Sequence, residues 1–406
     1  SIGSVPELRR MVNVTWIFWI SVALLSYVHV GYPALAALAA WVARNRGKGS
    51  ERGRDDKPTL SFVIPAYNED RVLAAKLENA LAMDYPEGRL EILVASDGSS
   101  DRTVEIARGF EDRGVRVLAF AERRGKASVL NDAVEAATGE VLCLCDANVM
   151  FRPDAIRRLV ACLEDPGVGA ASGDVRLASE ESNFGEGENA YYRIERAVQL
   201  GESRIGSMMG VDGGMYVLRR ELFRPLPPDT ILDDFVTSMR VIQQGKRIVY
   251  EPTAIAAENG TPLARQEFRR RVRVTAGAVQ CFKRGDWPPL SRPIELWQFV
   301  SHRAFRWAGP VWLVILLISS AMLWNGGVIY RVAFVGQVLV YFLAAVGTFS
   351  VRFRETRIGG ITFYFVMSHV AMAIGLVKGL FNRQPVAWNR TERSKIVTST
   401  EANASN

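Results

Sequence analysis

The sequence predicts an α/β domain with a mostly parallel β-sheet, set between helices that enter a membrane. Three observations support this fold class. Strand-like apolar runs alternate with helices of about ten residues between positions 60 and 146. Polar residues follow the ends of these runs, as they do at the carboxyl edge of a parallel sheet. Residues 12–42 and 308–381 are rich in apolar side chains, while most of the charge lies between them.

The first element is an apolar segment over residues 12–42 that contains no Asp, Glu, Lys or Arg. A membrane span needs about 20 apolar residues, so the segment predicts one tilted or kinked helix and excludes two. Gly31 and Pro33 mark the predicted kink. A cleaved signal peptide is the alternative, but its apolar core runs for only about 7–15 residues.

The central region contains four predicted strands and three predicted helices in alternation. The strands lie within 60–67, 90–97, 115–120 and 140–146, and the helices cover 71–83, 103–114 and 126–137. Ser100 or Asp101 is positioned to cap the second helix, and Gly114 closes it. This order predicts parallel strands joined by right-handed crossovers.

The C-terminal region predicts a helical hairpin of two spans over 311–324 and 332–350, followed by an apolar stretch over 358–381. The last stretch either crosses the bilayer or lies along it. Basic clusters follow each apolar segment, and the positive-inside rule places all of them on the cytoplasmic side only if 358–381 does not cross. An interfacial helix is therefore favoured there. The predicted units are a transmembrane helix (1–45), a basic linker (46–57), a cytoplasmic domain (58–285), an interfacial helix (286–308), membrane helices (309–381) and a tail (382–406).

Composition narrows the chemistry of the chain. The net charge is +7, but the basic residues concentrate beside the apolar segments, which indicates contact with anionic lipid headgroups rather than nucleic acid. The four cysteines form no metal-ligand framework and are expected to be reduced thiols. The three histidines lie in or beside apolar segments, which argues against a zinc–histidine site and a Ser–His–Asp triad. Any acid–base chemistry must then come from carboxylates.

Polar side chains at the strand ends predict an anion and metal site. Asp146 and Asn148 follow the fourth strand and offer oxygen ligands of the kind that Mg²⁺ and Mn²⁺ prefer, commonly shared with substrate phosphates. Lys126, at the start of a helix, adds a positive charge for the same anion. Asp97 ends the second strand at a matching place. The plain alternative is that Asp146 only caps a turn. The first strand is not followed by G-x-G-x-x-G and no phosphate loop occurs, which disfavours a dinucleotide-binding fold.

Six motifs in order resemble those of the family 2 inverting glycosyltransferases. They are "SFVIPAYNED" (61–70), "SDGSSD" (96–101), "RRGKASVLNDA" (123–133), "CDAN" (145–148), "GGMYVLRRELF" (213–223) and "ILDDFVTSMRVIQQGKRIVYEP" (231–252). The flanking apolar segments are similar in layout to the membrane-embedded hyaluronan, chitin and cellulose synthases of that family. The resemblance covers residues 58–280.

The resemblance implies a Rossmann-like glycosyltransferase A fold, a nucleotide-sugar donor that is most often a UDP-sugar, and a set of site residues. It places Ala66, Tyr67, Glu69 and Asp97 around the nucleotide, Lys126 at the diphosphate, and Asp146 and Asn148 at the metal. Asp233 and Asp234 match the acidic pair whose second member is the general base. Capping of the following helix is the alternative for these two residues, and it accounts for one of them but not both.

The remaining motifs depart from the family pattern or are short. "RQEFRRRVRVTAG" (265–277) keeps Arg270, Arg271 and Arg273 on a frame that binds diphosphate or acceptor, but Val274 replaces the tryptophan that stacks under an acceptor sugar. A basic helix on the membrane is the alternative for Arg269 and Arg270. Gly214 falls in the acceptor motif. "WNRTERS" (388–394) is similar to a gating segment, with Trp388, Thr391 and Arg393 closing over the nucleotide, and an interfacial tryptophan is the alternative.

These observations predict an integral membrane glycosyltransferase of the plasma membrane with a cytoplasmic active site. It would transfer a sugar from a UDP-sugar, with inversion, to a growing exopolysaccharide, with Mg²⁺ or Mn²⁺ as cofactor. Transfer of one sugar to a lipid carrier is the nearest alternative, which Val274 favours. A non-catalytic nucleotide-sugar-binding subunit of an export complex is the alternative from another class. The sugar, the linkage and any protein partner are not predicted.

Overall fold

The structure, a computed structural model, describes residues 5–42, 57–177, 186–258 and 264–386. Within these residues one sheet contains the strands β1 (Leu60–Ala66), β2 (Leu90–Asp97), β3 (Val115–Phe120), β4 (Val141–Cys145), β5 (Val149–Phe151), β6 (Val168–Leu177), β7 (Met215–Arg219) and β8 (Arg247–Glu258). The helices are α1 (Val5–Ser26), α2 (Tyr32–Val42), α3 (Leu73–Leu81), α4 (Thr103–Arg108), α5 (Lys126–Ala136), α6 (Ala155–Cys162), α7 (Glu186–Ile205), α8 (Asp233–Gln243), α9 (Ala264–Arg284), α10 (Pro293–Gln298), α11 (Phe305–Trp307), α12 (Gly309–Met322), α13 (Val328–Phe349), α14 (Val351–Arg354) and α15 (Arg357–Leu380).

The strand order is β3-β2-β1-β4-β7-β6-β8-β5. The first four strands in this order are parallel, with Leu60 of β1 opposite both Leu90 of β2 and Val141 of β4. β7 is antiparallel to β4 and to β6, β6 is parallel to β8, and β5 is antiparallel to β8. The mostly parallel sheet is confirmed, and its mixed half begins where β7 reverses direction. In this mixed half, neighbouring strands such as β4 and β7 are far apart in the sequence.

The core has two layers because successive side chains of a strand point to opposite faces. On β1, Phe62 and Ile64 pack with helices α3, α4 and α6 on one face. Val63 packs with α5 and α8 on the other face. All three are fully buried, and burying an apolar side chain of this size stabilises the fold by about 1.5–3 kcal/mol. The buried strands therefore hold their polar ends at one rim.

The helix predicted over 103–114 is shorter than expected. The N-cap is Arg102 rather than the predicted Ser100 or Asp101, although Oδ1 of Asp101 accepts a hydrogen bond from the backbone N of Thr103 at 3.0 Å. The α-helix ends at Arg108, however, and a 3₁₀ turn (Glu111–Arg113) leads to Gly114, whose φ is +88°. Gly109 accounts for the interruption because glycine inside a helix costs about 1 kcal/mol relative to alanine.

Among the described residues, three helical segments are long and apolar enough to cross a membrane: Met11–Val42, Val328–Phe349 and Arg357–Leu380. They indicate a membrane protein. A π-helical turn (Tyr27–Gly31) joins α1 to α2, and the kink predicted at Gly31 and Pro33 stays a prediction. The last segment has the length of a span, and its interfacial placement stays a prediction.

The predicted span over 311–324 corresponds to α12, which has 14 residues. A span needs about 20 residues, so α12 reaches that length only together with the preceding helical segment, Pro293–Trp307. The two meet at a bend of 60°. The two-span hairpin therefore stays a prediction, and its first arm spans a membrane only if the bent pair acts as one broken span.

A cluster of buried polar residues joins the membrane helices to the sheet domain. Tyr32 of α2 donates a hydrogen bond to Glu202 Oε1 of α7 at 2.6 Å, and His302 Nδ1 contacts the same oxygen at 2.8 Å. Arg306 pairs with Glu195 of α7 at 2.8 Å. The segment predicted as an interfacial helix thus packs against α7 through a buried histidine.

A second contact between membrane helix and domain lies between α15 and α9. A Cβ atom added at Gly375 would lie 2.6 Å from Cβ of Thr275, and one at Gly379 would lie 2.7 Å from Cβ of Val279. Such distances leave no room for a larger residue. The absence of side chains at these two positions lets the helix axes approach closely.

Candidate active site

The loops that follow β1 and β2 interlock at the rim. Asn68 has a φ of +54°, and its Oδ1 accepts a hydrogen bond from the backbone N of Ser100 at 2.8 Å. The backbone N of Glu69 donates to Thr103 Oγ1 at 2.8 Å. Ala66, the last residue of β1, pairs with Ser96 of β2. The structure therefore brings the predicted residues Ala66, Tyr67 and Glu69 to the carboxyl edge of the sheet.

Asp97 binds the loop that precedes α5. Its Oδ1 accepts from the backbone N of Arg124 at 2.6 Å, and its Oδ2 from that of Gly125 at 3.0 Å. Only 1% of Asp97 is exposed. Gly98 makes this approach possible, because a Cβ there would lie 2.6 Å from the backbone N of Arg123. Asp97 thus positions the loop, and its predicted contact with uridine stays a prediction.

Tyr67 lies under the same loop. The guanidinium of Arg123 lies 3.8 Å from the centroid of the Tyr67 ring, a cation–π contact. The predicted nucleotide side of the cleft is therefore formed by an aromatic ring from the loop after β1 and a guanidinium from the loop before α5.

Lys126 connects two of the predicted motifs. Its Nζ lies 3.0 Å from Oδ1 of Asp146 and 3.2 Å from Oδ2 of Asp233. Burial acts to lower the pKa of Lys126, but the carboxylates of Asp146, Asp233 and Asp234 outweigh it and hold the pKa well above its usual value. The residue is therefore a fixed positive charge between a strand end and the start of α8.

Asp233 and Asp234 begin α8, and neither forms a standard N-cap. Oδ1 of Asp234 accepts from the backbone N of the next residue, Phe235, at 2.7 Å. Gly213 lies against the same carboxylate, since a Cβ added there would be 2.9 Å from Asp234 Oδ2. Burial and the charge of Asp233 raise the pKa of Asp234 to about 6. The desolvation that a carboxylate base requires is therefore present at Asp234.

Asp212 is a further acid in the cleft that the sequence motifs did not identify. Its Oδ1 accepts from the backbone N of Gly214 at 2.9 Å. Burial, followed by the charges of Glu258, Asp234 and Asp146, raises the pKa of Asp212 to about 7. The signal in the sequence was its place directly before the "GGMYVLRRELF" motif. Gly214 is confined between Asp212 and Val149, since its Cβ would lie 3.0 Å from Val149 Cγ2.

Asn148 faces a second acid that the sequence did not predict. Its Nδ2 donates to Oε1 of Glu258 at 3.1 Å. The two residues are 110 positions apart, and β8 brings them together by pairing with β5, with Glu258 opposite Val149. Asn148 is 8% exposed, so the amide is held in a defined orientation.

The arginines of α9 separate into two groups. Arg270 and Arg271 both pair with the buried Glu267, at 2.7 Å each, and Arg271 also contacts Tyr364 of α15. The contact with Tyr364 directs Arg271 toward the membrane helix α15, whereas the ion pair of Arg270 with Glu267 lies within α9.

Arg273 reaches the active-site side. Its two terminal nitrogens donate to the backbone O of Ile231 at 3.1 Å and of Val386 at 2.9 Å. Burial lowers the pKa of Arg273, and the nearby charges of Asp233 and Asp234 act against it. The structure therefore brings Arg273 to the loop that holds the acidic pair. Trp388, Thr391 and Arg393 lie outside the described residues.

The donor set at the rim fits a hard divalent cation only in part. Over the described parts of the chain, no group of three or more His, Cys, Asp or Glu side chains is arranged to hold a metal. Asp146 has a carboxylate that is 41% exposed to the cleft, and Asn148 lies two residues away. Mg²⁺ and Mn²⁺ are commonly bound through one or two protein oxygens plus substrate phosphates. The residues therefore fit a cation that shares its ligands with a diphosphate.

The parallel half-sheet, the loops at its carboxyl edge and the acidic pair at α8 define a glycosyltransferase A fold. Residues 61–226 match the sequence model of the family described as Glycosyl transferase family 2. The chain carries a family 2 glycosyltransferase domain, and the resemblance stated from its motifs is confirmed.

Curated relatives make a polysaccharide. The chain is 25% identical over 271 residues to a poly-beta-1,6-N-acetyl-D-glucosamine synthase of Staphylococcus epidermidis. It is 23% identical over 274 residues to the protein of the same name in Staphylococcus aureus (strain COL). Each alignment covers 65% of this chain and 65% of the relative, so the chain matches somewhat less than two thirds of the relatives' length.

One solved structure shares the fold over most of the chain. It is the mannosyltransferase PcManGT from Pyrobaculum calidifontis in complex with GDP-Man and Mn²⁺. The TM-score is 0.64 at 24% sequence identity, and the superposition covers 91% of this chain and 100% of that one. The likeness extends beyond the sheet domain to the helical regions.

Proposed function

We propose that this protein transfers a sugar from a UDP-sugar, with inversion, to a growing exopolysaccharide at the cytoplasmic face of the plasma membrane. The observation that carries the proposal is the position of Lys126, whose ammonium bridges Asp146 at the end of β4 and Asp233 at the start of α8. This contact supports a cleft in which a diphosphate site and a base lie side by side. The relatives named above support a polysaccharide as the product.

Asp234 is the proposed base. In an inverting transfer the bond between the anomeric carbon and the diphosphate oxygen breaks, while the acceptor oxygen bonds to the opposite face of that carbon. The acceptor hydroxyl loses its proton, and Asp234 takes it. A pKa of about 6 leaves Asp234 ionised at neutral pH and makes it more basic than an exposed aspartate.

The positive charges of the cleft are proposed to receive the departing diphosphate. Lys126 lies between the two acidic segments and can exchange a carboxylate contact for a phosphate contact. Arg273 is hydrogen-bonded to Ile231, in the loop that precedes α8 and its two aspartates. Asp146 and Asn148 would hold Mg²⁺ or Mn²⁺, which neutralises charge on the diphosphate when bound.

Transfer of a single sugar to a lipid carrier is the second candidate. Val274 favours it, because a valine cannot provide the flat face on which an acceptor sugar of a processive enzyme stacks. Three described helices long and apolar enough to cross a membrane are consistent with both candidates. A conduit for the product would be needed only for the first.

The test uses the full chain purified in detergent or nanodiscs. Release of nucleoside diphosphate is measured with a panel of UDP-sugars and with GDP-mannose, which the solved fold relative contains. The proposal expects turnover with one UDP-sugar and products that lengthen with time. A single glycolipid of constant size would reject the polymer and establish the second candidate. Turnover with GDP-mannose alone would reject the donor.

A further inference from the structure

The segment proposed to bind the metal, residues 146–148, resembles an Asp-x-Asp pattern but has one negative charge fewer. Asp146 is a carboxylate, but Asn148 is a neutral amide. An amide also presents two different atoms: its carbonyl oxygen can bind a cation, whereas its NH₂ group repels one. A working site therefore needs both a second charge and a device that turns the oxygen of Asn148 in the right direction.

The strand that follows Asn148, β5, is fixed by hydrogen bonds from α3. Lys76, which is fully buried, donates from Nζ to the backbone O of Val149 at 2.5 Å. Asn79, one turn further along α3, donates to the backbone O of Phe151 and accepts from its backbone N, both at 2.8 Å. These contacts and the pairing with β8 fix the three residues of β5. Asn148 is thus attached to a rigid strand.

The side chain of Asn148 is oriented by Glu258. The Nδ2 of the amide donates to Glu258 Oε1 at 3.1 Å. If the amide were rotated by half a turn, its carbonyl oxygen would face a carboxylate oxygen, and two acceptors would meet without a proton between them. Glu258 therefore turns the carbonyl oxygen of Asn148 away from itself and keeps it available.

We propose that Glu258 is a positioning residue for the cation site, which orients the amide of Asn148 as an oxygen ligand and supplies the second negative charge of the segment. The inference rests on the proposed function, since it concerns the metal of that reaction. The charge of Glu258 also acts on the cleft. Burial is the main cause of the raised pKa of Asp212, and the negative charge of Glu258 raises it further. Groups that orient metal ligands in this way commonly affect affinity by about 10–100-fold.

The experiment measures Mn²⁺ binding directly, by the loss of the electron paramagnetic resonance signal of free Mn²⁺ on titration with the full chain and UDP. Glu258→Gln is expected to weaken Mn²⁺ binding by about 10–100-fold. The Asn148→Asp, Glu258→Gln double variant exchanges the amide and the carboxylate. It keeps the total charge and reverses the same hydrogen bond, so it is expected to restore the affinity to near the wild-type value.

Glu251→Gln is the matched control. Glu251 lies on the same strand, β8, and binds Thr253 by its side chain. Its replacement removes a negative charge from β8 at a position that does not contact Asn148, so Mn²⁺ binding is expected to stay unchanged. Thermal stability is recorded for every variant, because a purely structural link between β5 and β8 would lower the melting temperature of both Glu258 variants in parallel with metal binding.

The outcomes separate this inference from the proposed function. Wild-type affinity in Glu258→Gln would overturn the role of Glu258 and leave the proposed reaction intact. Failure of the double variant to recover, with a melting temperature as low as that of the single variant, would also overturn the inference. If the wild-type chain bound no Mn²⁺ in the presence of UDP, the metal-assisted reaction itself would be rejected.

Discussion

Replacement of Asp234 by asparagine tests the proposed base, because it should lower turnover and raise the stability of the folded protein. The variant keeps the size of the side chain but cannot take a proton. General-base catalysis by a positioned side chain contributes about 10²–10⁴-fold to rate, so turnover should fall by that factor, which is about 3–5 kcal/mol in the activation free energy. Binding of UDP should remain, since Asp234 makes no proposed contact with it.

The same replacement is expected to stabilise the folded protein near neutral pH. The pKa of Asp234 is raised from 3.8 to about 6, which corresponds to about 3 kcal/mol at 1.36 kcal/mol for each pKa unit. Because Asp234 is partly exposed to the cleft and solvent screens its charge, we expect about 1–3 kcal/mol.

The sign of the pH dependence follows from proton binding. Between about pH 4 and 6 the folded state binds the proton of Asp234 more tightly than the unfolded state. Stability therefore falls as pH rises through that window, and the full penalty of the ionised group is present above about pH 6. Asparagine removes the penalty, so the melting temperature of the variant should exceed that of the wild type at pH 7–8, and the difference should vanish near pH 4.

The assay follows diphosphate release and melting temperature from pH 5 to 8. Wild-type turnover should decline below about pH 6 as Asp234 becomes protonated. Asp229→Asn is the control, because Asp229 lies in the same loop, is 61% exposed and pairs with Arg284. It should change neither property. Turnover close to wild type in Asp234→Asn would refute the assignment of the base, and an equal melting temperature at every pH would refute the argument from burial.

Three further predictions concern charge, metal and packing. Lys126→Met leaves the two carboxylates it bridges without a cation and removes a phosphate contact. UDP affinity and melting temperature should both fall, with partial recovery in Lys126→Arg, and unchanged UDP binding in calorimetry would contradict the proposed diphosphate site. Chelation by EDTA should abolish diphosphate release, and added Mn²⁺ or Mg²⁺ should restore it; turnover that persists in EDTA would rule out the metal. Gly375→Ala should lower the melting temperature and turnover, because its Cβ would lie 2.6 Å from Thr275 and overpacking costs about 1–3 kcal/mol. Gly336→Ala, where nothing lies within 4 Å, is the control: turnover should not change, and the melting temperature should stay the same or rise, because alanine favours a helix interior by up to about 1 kcal/mol.

Much of the sheet domain was predictable because its signals are local. Runs such as Val141–Cys145 are apolar and end at a polar residue, which is enough to place a buried strand and its rim. Lys126 was predicted at a helix start, and α5 begins at that residue. The acidic pair was placed at the start of a helix, and α8 begins at Asp233.

Three features of the site could not be predicted from the sequence. Arg271 and Arg273 are two residues apart and were assigned one role, but only the contacts of α9 with α15 and with the Ile231 loop separate them. Glu258 ends a long strand without any motif of its own. Asp212 is not singled out by the sequence, because a lone acid before two glycines is a common turn pattern.

The order of side chains along 406 residues determined the class of the domain, the apolar segments, the strand ends and most of the residues proposed for the reaction. These depend on periodicity and on strand-end chemistry, which act over a few residues. Only the tertiary structure decided how the acids are distributed around the cleft and which of them raise the pKa of one another. The physical reason is that β5 meets β8 and α5 meets α8 through pairing and packing between distant segments, and electrostatic interactions depend on distance in space rather than on separation along the chain.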